Sequence, residues 1–134
     1  MIENLRFHHI GIACNNLEKE LENFSFLGYK KEGAFFIDKN QGIKGIFITA
    51  NDQPRMELLI NFGEKGTLNS LLQKGIKMYH ICYETDDIFK SIQALESIGA
   101  KLIISPVEAV AFNNKMITFL MLPNMLLIEL AEKQ

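Results

Sequence analysis

The chain has 134 residues, of which 48% are hydrophobic and 22% charged, and its formal net charge is −2. That length and apolar share suit one compact domain, or two half-domains sharing a core, and exclude a disordered chain. No lysine or arginine run offers the basic footprint nucleic acid needs, and no apolar stretch reaches the roughly 18–20 residues that cross a bilayer.

The opening residues lack the basic-then-apolar layout of a signal peptide, so a cytoplasmic protein is expected. Cys14 and Cys82 then read as two buried thiols in a reducing compartment rather than a disulfide.

Residues 6–14 read as a strand. Asn15 or Asn16 caps a helix, with Glu18 three residues after Asn15, and the helix buries Leu17, Leu21, Phe24 and Leu27 before Gly28 ends it. Three strands follow at 29–38 (broken by Gly33), 43–50 and 55–61, separated by turns rich in Asn, Asp and Gly. A connector at 62–76 holds a short helix through Leu68, Leu71 and Leu72, capped by Thr67. A strand at 77–85 opens the second half. Asp86 or Asp87 caps a helix carrying Ile88, Ile92, Leu95 and Ile98, and Gly99 closes it. Strands at 101–109 (interrupted by Pro106), 115–122 and 125–131 complete eight strands. The expected organisation is a first βαβββ module at 1–62, a linker at 63–76 and a second module at 77–134.

The halves are copies. A shift of 71 sets His9 on His80, Ile10 on Ile81, Leu17 on Ile88, Leu21 on Ile92 and Gly28 on Gly99. A shift of 72 sets Met56-Glu57-Leu58 on Ile128-Glu129-Leu130. Each half therefore contributes one histidine and one glutamate at nearly the same interval, the mark of a duplicated module with a site along its seam.

Strand parity sharpens this. His9, Gly11 and Ala13 share a face, as do His80, Cys82 and Glu84, Glu57 and Leu59, and Glu129 with Leu127. A single histidine in an apolar strand is ordinarily a packed residue. A glutamate inside Met-Glu-Leu-Leu-Ile is harder to place, because burying an unpartnered carboxylate costs several kcal/mol. One cation shared by His9, Glu57, His80 and Glu129 reconciles both glutamates. Two nitrogens, two oxygens and no thiolate suit one divalent ion, with Zn, Co, Ni, Mn and Fe all admissible, and positions left open for water or substrate.

These residues, in His-His-Ile-Gly-Ile-Ala, Glu-Leu-Leu, Tyr-His-Ile-Cys-Tyr-Glu and Leu-Ile-Glu-Leu, resemble the vicinal oxygen chelate (glyoxalase/bleomycin resistance/dioxygenase) superfamily, nearest to methylmalonyl-CoA epimerase and glyoxalase I. The resemblance implies an α+β fold in which two tandem βαβββ modules form a curved, partly open, barrel-like mixed sheet with the helices outside. It also implies a metal-dependent isomerase, epimerase or lyase that takes a proton from carbon beside a carbonyl through a metal-stabilised enolate, on a small thioester or hemithioacetal. By likeness to glyoxalase I, Glu57 and Glu129 would be proton carriers as well as ligands. Members are commonly dimers, so a homodimer is expected. The epimerase pattern carries a base just ahead of Gln-Gly, where this chain has Asn40, and often His-Gly where it has Phe112-Asn113-Asn114. Two other readings stand beside the enzyme: a non-catalytic antibiotic-binding resistance protein, and an extradiol-type dioxygenase.

Other residues carry weaker expectations. Glu84 reads as a solvated strand-end carboxylate, and Cys82 as packing. Lys39, Lys44, Arg55 and Lys115 suit surface solubility or a substrate anion. Phe35, Phe36, Phe47, Phe112 and Phe119 suit core or cavity mouth.

Overall fold

The computed structural model describes residues 1–134. Its eight strands in mixed sheet and three α-helices place it in the α+β class the sequence predicts. The chain divides into two compact units: a contiguous one, His9–Tyr79, and a discontinuous one of Met1–His8 with His80–Gln134.

In the contiguous unit, β1 (Arg6–Ala13) contributes its later residues and pairs in parallel with β4 (Met56–Asn61). β4 pairs antiparallel with β3 (Ile43–Thr49), and β3 with β2 (Lys30–Asp38), giving the order β2-β3-β4-β1. Helix α1 (Leu17–Ser25) begins where Asn16 accepts a hydrogen bond from the Lys19 amide, satisfying one of the donors a helix start leaves open. One sheet face packs on α1: Ile12, Ile46, Ile48 and Leu58 are buried with Leu17, against Leu21 and Phe24. Burial of each such side chain is worth about 1.5–3 kcal/mol. Part of the other face is sealed by α2 (Asn69–Gln73) and the residue before it, where Leu68, Leu71 and Leu72 pack on Ala13, Ile43 and Leu59.

The discontinuous unit repeats this. β5 (Met78–Thr85) pairs in parallel with β8 (Leu127–Glu132), β8 antiparallel with β7 (Lys115–Met121), and β7 with β6 (Lys101–Ala109). Helix α3 (Ile88–Ser97) is capped by Asp87, which accepts from the Lys90 amide, and buries Ile88 and Ile92 against Leu120, Ile128 and Leu130. The first eight residues are tied into this unit by Arg6 donating to Asp86 at 3.0 Å and by ring contacts of Phe7 with Tyr83 and His8 with Phe112. Both cysteines are buried free thiols.

Several expectations are corrected. Leu27 and Ile98, placed at the end of the helical stripes, are mostly exposed, because the helices stop at Ser25 and Ser97 and the chain turns away before the glycine. Thr67 does not cap α2; its hydroxyl donates to the Gln41 carbonyl instead, strapping the connector onto the β2–β3 turn. Gly33 and Pro106 do not break their strands. The ladder shifts register between Glu32 and Phe36, and again between Ile104 and Val107. Both interruptions fall on strands at the end of their unit's order, where a proline's missing N–H or a bulge costs least.

Candidate metal centre

Each unit holds one histidine–glutamate pair. Gly11 on β1 lies opposite Glu57 on β4, so His9, two residues earlier on the same face, reaches the glutamate: His9 Nε2 lies 3.1 Å from Glu57 Oε1. On β5 and β8, Cys82 lies opposite Glu129, and His80 Nε2 lies 3.2 Å from Glu129 Oε1. The relation is the same in both copies, down to the atom.

All four side chains are buried, with relative exposures of 0%, 4%, 3% and 4% for His9, Glu57, His80 and Glu129. Each offers a donor atom of the kind that holds a divalent ion. The spacing within each pair also fits. Neighbouring ligands at right angles on an ion with bonds of about 2.1 Å stand about 3.0 Å apart, close to both measured separations. Two imidazoles and two carboxylates, with no thiolate in the set, suit a borderline or harder divalent ion.

An aromatic ring completes each pair. Phe47 on β3 is the cross-strand partner of Glu57, and its ring meets that of His9 edge-on, with centroids 5.2 Å apart. Phe119 on β7 is the partner of Glu129, and meets the ring of His80 at the same 5.2 Å. Sequence reasoning placed these two phenylalanines in the core or at the cavity mouth without pairing either with a histidine. The signal was there: Phe47 and Phe119 stand 72 apart, the same shift as the glutamates.

The turn carrying Asn40 joins β2 to β3. Glu57 pairs with Phe47, whereas the turn begins beyond the Asp38–Ile43 pair, four residues further along β3 and so about 13 Å away. It is held by Asp38, which accepts from the main-chain and side-chain nitrogens of Gln41, and by Lys65 donating to the Asn40 carbonyl. On β3 the same-face position next to Phe47 is Gly45, and it has no room for a side chain. A Cβ there would meet the Leu58 carbonyl and the Leu59 side chain at 2.6 Å and the Phe36 ring at 2.8 Å.

The remaining candidates are engaged in other ways. Glu84 forms an ion pair with Arg6 at 3.8 Å, and Arg55 binds Glu32 at 2.9 Å. Lys44 and Lys31 both stand over the Phe35 ring. Lys39 and Lys115 are exposed. Phe36 packs in the small core under α2, and Phe112 is buried beside His8.

A βαβββ arrangement with a buried His–Glu pair in each unit defines an α+β protein whose buried donors are of the kind that bind metal ions. Residues 8–119 match the family model described as the Glyoxalase/Bleomycin resistance protein/Dioxygenase superfamily, and the chain belongs to that superfamily. Its relatives include the mitochondrial methylmalonyl-CoA epimerase of Dictyostelium discoideum, 26% identical over 132 residues, covering 96% of this chain and 78% of that protein. Another is the ethylmalonyl-CoA/methylmalonyl-CoA epimerase of Cereibacter sphaeroides, 29% identical over 117 residues, with 86% and 87% covered. The crystal structure of methylmalonyl-CoA epimerase from Mycobacterium tuberculosis has the same fold, with a TM-score of 0.80 at 23% identity over 96% of this chain and 88% of that one.

Proposed function

We propose that His9, Glu57, His80 and Glu129 together hold one divalent metal ion, and that the protein is an epimerase-type enzyme. It would remove and return a proton at the carbon beside a thioester carbonyl, on a malonyl-CoA derivative or a compound like it. The observation that carries this reading is the pair of buried His–Glu contacts, equivalent in both units and spaced as neighbouring ligands are. The relatives named as epimerases point to the thioester class.

A divalent ion bound there supplies Lewis-acid stabilisation of negative charge developing on a carbonyl oxygen. The protein's own groups move the proton. Inverting a carbon centre needs acceptors on opposite faces of a planar intermediate. The carboxylates of Glu57 and Glu129, one from each module, are the groups assigned to that work. No further base is drawn from the neighbouring strand positions, since 45 and 47 are Gly45 and Phe47, and the Asn40 amide cannot accept that proton. His9 and His80 bring Nε2 to 3.1 and 3.2 Å from the carboxylate of their own unit, the spacing of two ligands on one ion.

The test has two arms. Protein purified without chelators is analysed for metal, and is expected to carry about one divalent ion per chain on the ligand-set argument. It is then incubated in D2O with methylmalonyl-CoA, ethylmalonyl-CoA and the hemithioacetal of methylglyoxal with glutathione. Deuterium entering the carbon beside the thioester carbonyl is the expected result. Metal-free protein that exchanges nothing would overturn the enzyme reading and favour small-molecule sequestration. Turnover of the hemithioacetal alone would move the substrate class to glyoxalase chemistry. Full exchange by both Glu57→Gln and Glu129→Gln with metal restored would remove the glutamates' role as proton carriers.

A further inference from the structure

We propose that Phe47 and Phe119 are positioning residues of the site, each fixing the imidazole of its own unit so that Nε2 stays directed at the carboxylate. This rests on the metal-site reading above.

A histidine on a strand retains rotation about both side-chain torsions, and a metal ligand needs both fixed. Second contacts to ligating imidazoles commonly do this. In each unit the ring supplies such a contact from the strand beyond the glutamate. Phe47 lies directly opposite Glu57, and Phe119 directly opposite Glu129. Side chains of such cross-strand pairs stand about 4.5–5.5 Å apart at Cβ. The ring therefore flanks the carboxylate while its face or edge meets the imidazole.

The interplanar angles are 64° for His9–Phe47 and 85° for His80–Phe119, both in the edge-to-face class. At these centroid distances that arrangement is favoured over a stacked one. The contact restricts rotation of the imidazole plane, and a restricted plane aims Nε2.

The strands around these rings have diverged between the copies. At the same shift of 72, Gly45 stands against Ile117, Ile46 against Thr118 and Thr49 against Met121. Phe47 and Phe119 are identical. Both are also half-buried, while the imidazoles they touch are sealed.

The test uses the full-length chain, stripped of metal and titrated with Co2+. Affinity is read by competition with a chromogenic chelator, and ligand geometry by the visible absorption of the bound ion. Phe47→Leu and Phe119→Leu keep apolar volume but lose the aromatic edge. Each is expected to weaken Co2+ binding about tenfold and to alter the visible band, as loss of a contact behind a ligand does. Phe47→Tyr and Phe119→Tyr keep the edge and should bind as the unaltered chain does. Phe36→Leu, a ring that neighbours Phe47 but is paired with neither histidine, should also leave binding unchanged.

Leucine variants that bind Co2+ with unchanged affinity and spectrum would overturn the proposal, as would tyrosine variants that lose as much as the leucine ones. Should a leucine variant fail to fold, the tyrosine variants decide by the same criterion. If the unaltered chain itself takes up no Co2+, the metal-site reading fails and this inference falls with it. Binding by the unaltered chain together with indifferent leucine variants removes the inference alone.

Discussion

Replacing Glu57 by glutamine should move the stability of the metal-free and metal-loaded protein in opposite directions. Glu57 is 4% exposed and lies 3.1 Å from His9 Nε2, so its charge has little water around it. Taking a charged carboxylate out of water costs several kcal/mol before its contacts offset any of it. The amide has the same shape and keeps a hydrogen-bonding group against His9. The usual penalty for breaking a buried ion pair does not apply in full, because the amide still presents an oxygen and an NH2 group to the imidazole. The metal-free variant should therefore be more stable by about 1 kcal/mol, as is common when a residue kept for function is relaxed. For a chain of this size that raises Tm by about 4 °C.

With metal the order reverses. At a free-ion concentration of about 100 Kd, binding stabilises the unaltered protein by about 2.7 kcal/mol. If loss of the charged ligand weakens affinity about a hundredfold, the variant gains only about 0.4 kcal/mol at the same concentration. The net change is then about 1–2 kcal/mol against the variant. Thermal unfolding followed by circular dichroism, once after chelator treatment and once at a fixed Zn2+ concentration, measures both signs. A metal-free E57Q protein less stable than the original, or equal Zn2+ shifts in both, would refute the reasoning.

Two other outcomes follow from the local structure. The helix caps Asn16 and Asp87 each accept a main-chain hydrogen bond at the start of their helix, so Asn16→Ala and Asp87→Ala should each cost about 1 kcal/mol in urea unfolding; variants as stable as the original would show that the caps contribute nothing. Burial pushes the Cys14 thiol up to about 11 from an ordinary value of 9.0. The folded state therefore holds this proton where the unfolded chain releases it. Its contribution to stability is intact below pH 9 and is lost as pH rises from there to 11, by about 2–3 kcal/mol in all. A Cys14→Ala variant should lack that alkaline component, and a thiol reagent at pH 8 should modify Cys14 only after denaturant is added.

Much of this was legible in the sequence because duplication prints its own evidence. His9 and His80, or Glu57 and Glu129, announce themselves by recurring, and parity along a strand then gives the face. Each cap was legible to within two residues, Asn15 or Asn16 and Asp86 or Asp87, and the hydrogen bonds select Asn16 and Asp87. What escaped depended on contacts distant in the chain. Thr67 looks like a cap by position, but the Gln41 carbonyl competes for its hydroxyl. Gly33 reads as a break, yet a strand at the end of the order absorbs a positive φ of 75° as a bulge. Leu27 and Ile98 fit the helical period but lie past the last helical residue, where period no longer sets direction. The role of Phe47 was hidden for another reason. An apolar residue on an apolar strand looks like core until the register names the glutamate across from it.

The boundary between the two compact units runs between adjacent histidines, with His8 in one and His9 in the other. The unit of residues 9–79 is continuous, so it can take shape on the ribosome as soon as that stretch has emerged. The other must keep its opening segment waiting until residues 80–134 arrive, and only then can Arg6 find Asp86 and Phe7 find Tyr83. Synthesis order thus makes the copy bearing His80 and Glu129 the later of the two to close.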